Sequence, residues 1–397
     1  MTATRLRDQT TDALAKRLSW SNPAVRGLVW QVLVVGAVLA VVGWLALNTY
    51  QNLVSRRIAS GFDFLFSESG LPIGEHLISY SPTDTYFRAL LVGALNTLRV
   101  AVMGIVLATV LGIAIGLARL SRHWLLAKLT ALYVEVFRNL PLLLHLLLIY
   151  ALLQALPPPR AALTPLPGVY LSNRGLVLPI LEWSPAHNWC LAALALGVAG
   201  TLVYGRWTRW RQAKDGQPRR VAPVALVLIV GLPTLAAILT EAPLSIVWPE
   251  LRGFNFRGGT SLSPEYFALL LGLVLYTAAF IAEIVRAGVL SVHKGQWEAA
   301  QALGLPKGLI LRKIVLPQAL RMIIPPLINQ YLNLTKNSSL AVAIGYQDIV
   351  SVANTTINQT GQAIEGIAII MAVYLTISLS ISLFMNWYNR RTAWGER

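Results

Sequence analysis

A few ionisable side chains stand within long apolar stretches of this 397-residue chain, where placing a charge in hydrocarbon costs about 2.5–3.5 kcal/mol on insertion scales. They are one lysine, one histidine and two glutamate–arginine pairs: Lys336, His145, Glu135 with Arg138, and Glu283 with Arg286. In each pair the glutamate precedes the arginine by three residues, which makes the two side chains neighbours on a helix. Side chains of these types can bind a charged ligand or form ion pairs with one another.

Lys336 is fifteen residues beyond Arg321, which is about 22 Å along a helix. The intervening Pro325–Pro326 should break that helix. Polar side chains continue the stretch at Asn333, Asn337 and Ser338. In a membrane, a polar and interrupted helix is tolerated only where it packs in protein or lines a cavity. The Lys336 ammonium could therefore meet a substrate carboxylate, or it could neutralise Glu135 or Glu283 in a structural role.

Arg138 precedes Pro141, which should kink or end the local helix, and His145 follows one turn later. Backbone groups at a broken helix can bind charged ligands, so Arg138 and His145 are candidates for a substrate pathway. His145 could equally be a hydrogen-bonding residue that only packs between helices. For Glu283 and Arg286, near the end of their span, we expect a local ion pair that steadies the following loop.

The chain lacks the residue patterns that are typical of catalytic sites. No G-x-x-x-x-G-K-[ST] sequence occurs, so the chain cannot itself hold nucleotide phosphates in that way. Cys190 is the only cysteine, which excludes an internal disulfide and a thiolate metal cluster. An intramembrane hydrolase would need a buried nucleophile beside a base, and no serine is indicated as a partner for His145. We expect no enzymatic activity, no metal and no cofactor in this chain.

Long apolar helices must position these residues. Hydrophobic residues make up 55% of the chain and charged residues only 13%, against about a quarter in soluble domains. A helix needs about 20 apolar residues to cross the hydrocarbon core. Eight stretches are long enough: 27–48, 99–118, 129–155, 188–205, 221–241, 266–286, 322–346 and 363–386. The sequence predicts an all-α integral membrane protein with about eight transmembrane helices.

The net charge of +16 could indicate nucleic acid, but the basic residues cluster in short segments beside the spans. Segments on one side hold 23 Lys or Arg and those on the other side hold 8, and RWTRWRQAKDGQPRR (206–220) is the strongest cluster. Positive residues stay on the cytoplasmic side. We expect both termini in the cytoplasm of a multi-pass inner-membrane protein, with a lipid bilayer and no nucleic acid as partner.

The segment 298–317 has the sequence EAAQALGLPKGLILRKIVLP. It is too polar to enter lipid, and its pattern is too regular for an unstructured linker. Gly304 can adopt the left-handed conformation that ends a helix, and Pro306 prevents its continuation. A second, basic helix is expected from about Lys307 and should stop near Pro317. The elbow that results could dock on another protein through its small side chains, or lie on the membrane surface as an amphipathic hairpin.

Glu298-Ala299-Ala300, three residues, Gly304, nine residues and Ile314-Val315-Leu316-Pro317 together resemble the EAA signature of ABC importer permeases. The resemblance implies a type I ABC importer transmembrane core, with this loop as a coupling helix in a groove of the ATP-hydrolysing subunit. It assigns ATPase coupling to five positions: Glu298, Ala299, Ala300, Gly304 and Pro317.

Further stretches resemble polar amino acid permeases of the histidine/glutamine type: GALNTLRVAVMGIVLATVLGIAIGLARLS, YVEVFRNLPLLLHLLLIY, FIAEIVRAGVLSVHKGQWEAAQALG and LTKNSSLAVAIG. They cover about 89–155 and 264–390, the usual five-helix core. The extra spans are similar to the enlarged Q- or B-type permease of general L-amino acid transporters. That likeness implies a heterodimer with a homologous second permease, two ATP-binding subunits that carry ATP and Mg²⁺, and a periplasmic amino-acid-binding protein.

The same resemblance divides the chain into six parts. They are a cytoplasmic segment 1–26, an extra span with periplasmic loop 27–87, the first core part 88–155, an insertion with two extra spans 156–263, the second core part 264–390 with the EAA loop 291–320, and a cytoplasmic tail 391–397. The outward segments 50–87 and 156–187, rich in Pro, Ser and Gly, are expected to form loops.

Two points remain open in the sequence. The chain has PLLLHL where the family usually has PLLVQL, which places His145 at a glutamine position and bears on substrate preference. An ion-gradient-driven secondary transporter is the alternative function. It would call for paired carboxylates or inverted repeats near the midplane, whereas the glutamates here each stand near an arginine.

Overall fold

The computed structural model describes residues 23–55, 60–217, 220–241 and 245–392. The expectations for most of the predicted cytoplasmic segment 1–26 and of the tail 391–397 lie outside the described residues. Apolar runs fold as helices because backbone groups in hydrocarbon must be satisfied within their own segment. The described α-helices are α1 (Pro23–Ser55), α2 (Tyr86–Ala118), α3 (Trp124–Asn139), α4 (Leu142–Gln154), α5 (Pro185–Asp215), α6 (Ala222–Leu226), α7 (Leu232–Leu239), α8 (Pro264–Leu290), α9 (Lys294–Ala302), α10 (Lys307–Ile310), α11 (Leu316–Asn337), α12 (Ile349–Thr360) and α13 (Ala363–Thr392).

Six helical segments in the described part of the chain are long and apolar enough to cross a membrane: Val25–Asn52, Tyr86–Ala118, Pro185–Asp215, Ala222–Leu239, Pro264–Leu290 and Ala363–Asn389. Two π-helical turns occur in the described part of the chain. Val227–Gly231 joins α6 to α7, and Leu311–Val315 joins α10 to α11. Helices α3 and α4 together form a seventh segment, which is bent by 107°. Pro141 lies at the bend, where the sequence predicted a kink or a helix end. These segments confirm a helical membrane protein.

The predicted span 322–346 differs from the others. Its helix α11 ends at Asn337 and a 3₁₀ segment, Ser338–Ile344, follows. One face of α11 is apolar and buried while the other carries amide and ammonium groups, so the helix is too polar to pass as a lipid-facing span.

Two expected helix breaks are wrong. Pro325 and Pro326 lie inside α11 without ending it, because Ile323, Ile324 and Leu327 of the same helix are buried in the core against α8. Pro317 does not end a helix either. It lies in the first turn of α11, directly after the π-helical turn Leu311–Val315, whose wider backbone spacing accommodates the missing N–H donor.

The predicted loops of the insertion contain β-structure instead. Its described strands are β1 (Leu163–Leu166), β2 (Val169–Ser172), β3 (Gly175–Leu178), β4 (Ile180–Leu181), β5 (Ile246–Val247), β6 (Glu250–Arg252), β7 (Asn255–Arg257) and β8 (Thr260–Leu262). They form one antiparallel sheet in the order β1-β2-β3-β8 and two small pairs, β4-β5 and β6-β7. In the larger sheet, Leu176 lies opposite Leu262, which brings the two ends of the insertion together.

Helix α8 is the centre of the larger of two compact units, which comprises the described residues of Ile73–Ser79, of Leu91–Ser351 and from Val373 onward. It packs on α3, α4 and α11, and side chains along its length are fully buried, including Leu269, Leu273 and Ile281. Gly112 of α2 allows close approach, since a Cβ there would lie 2.6 Å from the Cβ of Ile281. Small residues at helix contacts are the usual basis of packing in membranes, where the hydrophobic effect adds little between helices.

The smaller unit comprises the described residues up to Pro72 together with Tyr80–Leu90 and Val352–Ala372. Within it the Tyr86 hydroxyl donates to the Gln359 side chain at 2.8 Å, and the Gly61 N–H donates to Glu365 at 2.6 Å. These bonds tie the start of α2 to α12 and the 60–72 loop to the start of α13.

Candidate functional site

The elbow predicted from EAAQALGLP is built by a helix with defined caps at both ends. Helix α9 begins after His293, whose ring nitrogen accepts the Gly295 N–H at 3.1 Å. It ends with two bonds that close its last turn, from Gly304 N–H to the Gln301 carbonyl at 2.9 Å and from Leu305 N–H to the Ala300 carbonyl at 3.2 Å. This pairing is the Schellman motif, which needs a left-handed residue, and Gly304 supplies it with φ +72°.

The elbow divides into a packed side and a free side. Ala300, Ile310 and Val315 are almost completely buried, at 2%, 0% and 1% exposure, in the cluster that also holds the lower part of α8 and α11. The small side chain of Ala300 therefore packs the elbow onto its own chain, whereas Glu298 and Ala299 are exposed. A firmly packed elbow can transmit a displacement to the helices above it.

The apex of the elbow, at the end of α9, carries a residue that was not predicted from the sequence. Leu303, the last residue before Gly304, is 78% exposed in the single chain. Its only sequence signal is an apolar side chain at the polar end of a helix that should be solvated. The exposed Leu303 and the exposed Glu298, five residues earlier, give this part of the elbow both an apolar side chain and a charge.

A cluster of arginines surrounds Glu283 near the end of α8 that leads to the elbow. Arg286 donates to the Glu283 carboxylate at 2.6 Å, Arg119 from the end of α2 forms a second ion pair with it, and Arg138 of α3 lies 3.9 Å away. One carboxylate thus joins three helices. The local pair of Glu283 with Arg286 is present, and the structure adds two partners from distant parts of the sequence.

Glu135 does not pair with Arg138, although the two are three residues apart. The face of α3 that carries Tyr133, Val134 and Phe137 packs towards α8, which brings Arg138 to Glu283. Glu135 is left exposed and has no ion pair among the described residues. Glu135, which the sequence offers as an ion-pair candidate, therefore pairs neither with Arg138 nor with Lys336 in the described structure.

His145 lies inside the helix packing. Its ring stacks on Phe137 at 4.8 Å between centroids, lies 6.0 Å from the ring of Tyr276, and is 7% exposed. Nδ1 donates to the Pro141 carbonyl at 3.1 Å, while Nε2 is buried without a hydrogen-bond partner among the described residues. The free acceptor leaves both of its predicted roles open.

The exposed face of α11 is a polar stripe, which we define as Asn329, Asn333 and Lys336. Their spacing of four and three places them on one side of the helix, opposite the buried Ile323, Leu327, Tyr331 and Leu334. Lys336 has no ion pair among the described residues, so it does not neutralise Glu135 or Glu283. A row of amides ending in an ammonium is unsuited to lipid and suits a protein partner or a water-filled path.

The other two candidates on this stretch differ from the stripe. Asn337 is half-buried, and Ser338 is buried and donates to the Thr335 carbonyl at 2.7 Å. The structure thus groups Asn333 with Lys336, and it places Ser338 in a backbone-bonding role at the junction of α11 with the 3₁₀ segment.

The elbow and the stripe belong to one continuous helical rod. Helix α10, the π-helical turn and α11 follow each other without a gap from Lys307 to Asn337. At 1.5 Å per residue the rod is about 46 Å long. A movement at the elbow therefore reaches the polar stripe through one element.

Known proteins resemble this chain over nearly its whole length. Residues 217–394 match the family described as binding-protein-dependent transport system inner membrane component. Three relatives match nearly the whole chain. The putative amino-acid ABC transporter permease YhdX of Escherichia coli K12 is 53% identical, and 96% of this chain and 97% of YhdX are covered. The general L-amino acid transport permease AapQ of Rhizobium johnstonii is 48% identical over 96% of both chains.

The third relative is the glutamate/glutamine/aspartate/asparagine transport permease BztB of Rhodobacter capsulatus, 40% identical over 94% of this chain and 95% of BztB. Because these matches include the insertion as well as the core, they relate the chain to enlarged permeases as a whole. The chain belongs to the family of binding-protein-dependent ABC transporter permeases of the inner membrane.

Proposed function

We propose that this chain moves L-amino acids inward as one permease of a heterodimer, with ATP and Mg²⁺ acting on two partner ATPase subunits. A periplasmic binding protein delivers the substrate, and both termini of this chain face the cytoplasm. The substrate class is supported by the relatives' names, all of which denote amino-acid transport. The orientation is supported by the excess of Lys and Arg in the segments on the side of the elbow.

The continuous rod from elbow to polar stripe carries the proposal. Its lower end is packed into the core while the apex around Glu298 and Leu303 is free for a partner. Its upper end carries Asn333 and Lys336 on a face that this chain leaves uncovered. Closure and opening of the ATPases would shift the rod between two positions and so expose the stripe alternately to each side.

Lys336 then acts on the substrate. Every amino acid has a carboxylate, and an ammonium that has no partner within the described chain can pair with it. The second permease covers the remaining side of the path. Ion-gradient-driven secondary transport is not favoured, because the relatives are ABC transporter permeases and because it leaves the elbow without a role.

The coupling claim is tested in the complete transporter reconstituted in vesicles with ATP inside. Glu298→Arg reverses the charge at the exposed apex, so we expect uptake of L-amino acids and stimulated ATP hydrolysis to fall at least tenfold, while membrane insertion and assembly of the chain stay normal. The control is Glu250→Arg, the same substitution on an exposed hairpin of the insertion. Wild-type uptake by the Glu298 variant would contradict coupling through this elbow.

The substrate claim has a separate test. Lys336→Met should lower uptake of L-amino acids severalfold and leave folding intact, because the ammonium is exposed and makes no ion pair in the described chain. Lys128→Met, at an exposed position on α3, is the matched control. A loss of stability with unchanged uptake would assign Lys336 a structural role instead.

A further inference from the structure

A cavity of about 600 Å³ lies at the Pro264 end of α8, opposite the Leu290 end that leads to the elbow. Strands of the insertion form one wall, and the loops around Glu75 and Tyr346 form the others. Sites for small molecules commonly have about 300–1,000 Å³. The cavity has the volume of a small-molecule site. It lies about 40 Å from the elbow, which is the length of α8.

One charge in the wall is already satisfied. Glu75 accepts from Arg99 at 2.8 Å and from the Ser263 N–H at 2.9 Å. Gln347, beside it in the wall, accepts the Gly74 N–H at 2.7 Å. These bonds hold the loop against the start of α8, and they give the cavity a fixed wall.

Two opposite charges in the lining of the cavity remain without an ion pair among the described residues. Arg174 lies in the turn between β2 and β3, and in the described structure its guanidinium makes only a long hydrogen bond of 3.4 Å to the Phe254 carbonyl. Glu265, in the first turn of α8, accepts a hydrogen bond from the Tyr150 hydroxyl at 3.0 Å. A cavity that presents one free guanidinium and one free carboxylate matches a ligand with both charges.

One tyrosine of the lining is almost completely buried. Tyr346 lines the cavity, is 3% exposed and packs its ring 5.6 Å from that of Tyr266. Its hydroxyl is buried and has no hydrogen-bond partner among the described residues. Because this hydroxyl is closed off from solvent, a ligand in the open cavity does not reach it, and Tyr346 contributes to the wall through its other atoms.

We propose that this cavity is an additional binding site for a zwitterionic α-amino acid. Arg174 binds the carboxylate and Glu265 binds the ammonium. The assignment of an amino acid rests on the proposed function, in which the cavity lies on the periplasmic side. The site would hold the substrate between its release from the binding protein and its entry to the path along α11.

The test uses a cysteine placed in the cavity of the complete transporter in nanodiscs. Ser261 is exposed and lines the cavity, and Cys190→Ala removes the native thiol, so Ser261→Cys can be labelled on this chain with a maleimide. L-Glutamine is the probe. We expect it to slow the labelling, while propionate and n-propylamine, which each carry one of the two charges, do not at the same concentration.

Variants of the wall identify the contacts. Arg174→Ala and Glu265→Gln should each raise the L-glutamine concentration for half-protection at least tenfold. Tyr346→Phe should leave this concentration unchanged and should not lower the melting temperature of the ligand-free protein, because it removes an unpaired hydroxyl that the cavity does not reach. The controls are Arg252→Ala and Glu250→Gln, the same substitutions at a solvent-exposed ion pair on a neighbouring hairpin.

Equal half-protection in all variants would overturn the proposal, as would protection by propionate or propylamine alone. Protection only by the binding protein would make the wall a protein-docking surface and overturn it as well. ATP-driven uptake is measured on the same preparations. Uptake with no protection rejects the cavity site alone, whereas protection without any ATP-dependent uptake rejects the proposed function.

Discussion

Replacing Glu283 by glutamine removes the one negative charge from a cluster of three arginines while keeping the shape of the side chain. Arg119, Arg138 and Arg286 would then repel one another across three helices with no carboxylate between them. The side chain of Glu283 is 24% exposed and that of Arg119 is 14% exposed. The cluster is therefore neither a surface ion pair nor a fully buried one.

The expected loss in the free energy of unfolding lies between the values for a buried and for an exposed ion pair. Breaking a buried ion pair by removing one partner costs about 3–5 kcal/mol. An exposed pair contributes about 0–1 kcal/mol. For a carboxylate three-quarters buried with two close arginines, we expect Glu283→Gln to lower the free energy of unfolding by about 2–3 kcal/mol.

The measurement is reversible unfolding of the purified chain in mixed micelles with increasing sodium dodecyl sulfate, followed by circular dichroism. Glu135→Gln is the matched control, because Glu135 is exposed and has no ion pair among the described residues, and should change the free energy by less than about 0.5 kcal/mol. In the double variant Arg119→Gln with Glu283→Gln, part of the loss should return. Equal effects of Glu283→Gln and Glu135→Gln would refute the assigned role of the cluster.

Two further predictions concern packing and pH. Gly112→Leu should destabilise the chain by about 2 kcal/mol, because even a Cβ would lie 2.6 Å from Ile281, whereas Gly43→Leu, with no atom within 4 Å, should be neutral in the same unfolding assay. Burial raises the pKa of Asp348, at the start of α12, from 3.8 to about 7, so its folded form holds a proton that the unfolded form releases. Stability from this group is complete below pH 4 and is lost as the pH rises to about 7, and Asp348→Asn should abolish that slope in melting temperatures recorded between pH 5 and 8. An unchanged slope in Asp348→Asn would show that another group titrates.

Local chemistry explains which sequence predictions the structure matches. Gly304 before Pro306 defines the end of α9, and Pro141 defines the bend between α3 and α4, because both residues restrict the backbone whatever surrounds them. The failures have a different origin. Pro325–Pro326 do not break α11 because packing on α8 outweighs the local preference, and Glu135 does not pair with Arg138 because helix packing brings a different carboxylate to that arginine.

The sequence by itself determined a helical membrane protein, the grouping of basic residues in short segments, and the elbow in which a glycine ends the first helix. Hydropathy, charge and backbone restriction each act over a few residues. Only the tertiary structure decided that Ala300 faces inward while Leu303 is exposed, that three arginines share Glu283, and that strands of the insertion form one wall of a cavity. Those features join residues far apart in the chain, and the physical terms that fix them, burial and the pairing of charges, depend on distances that no local pattern contains.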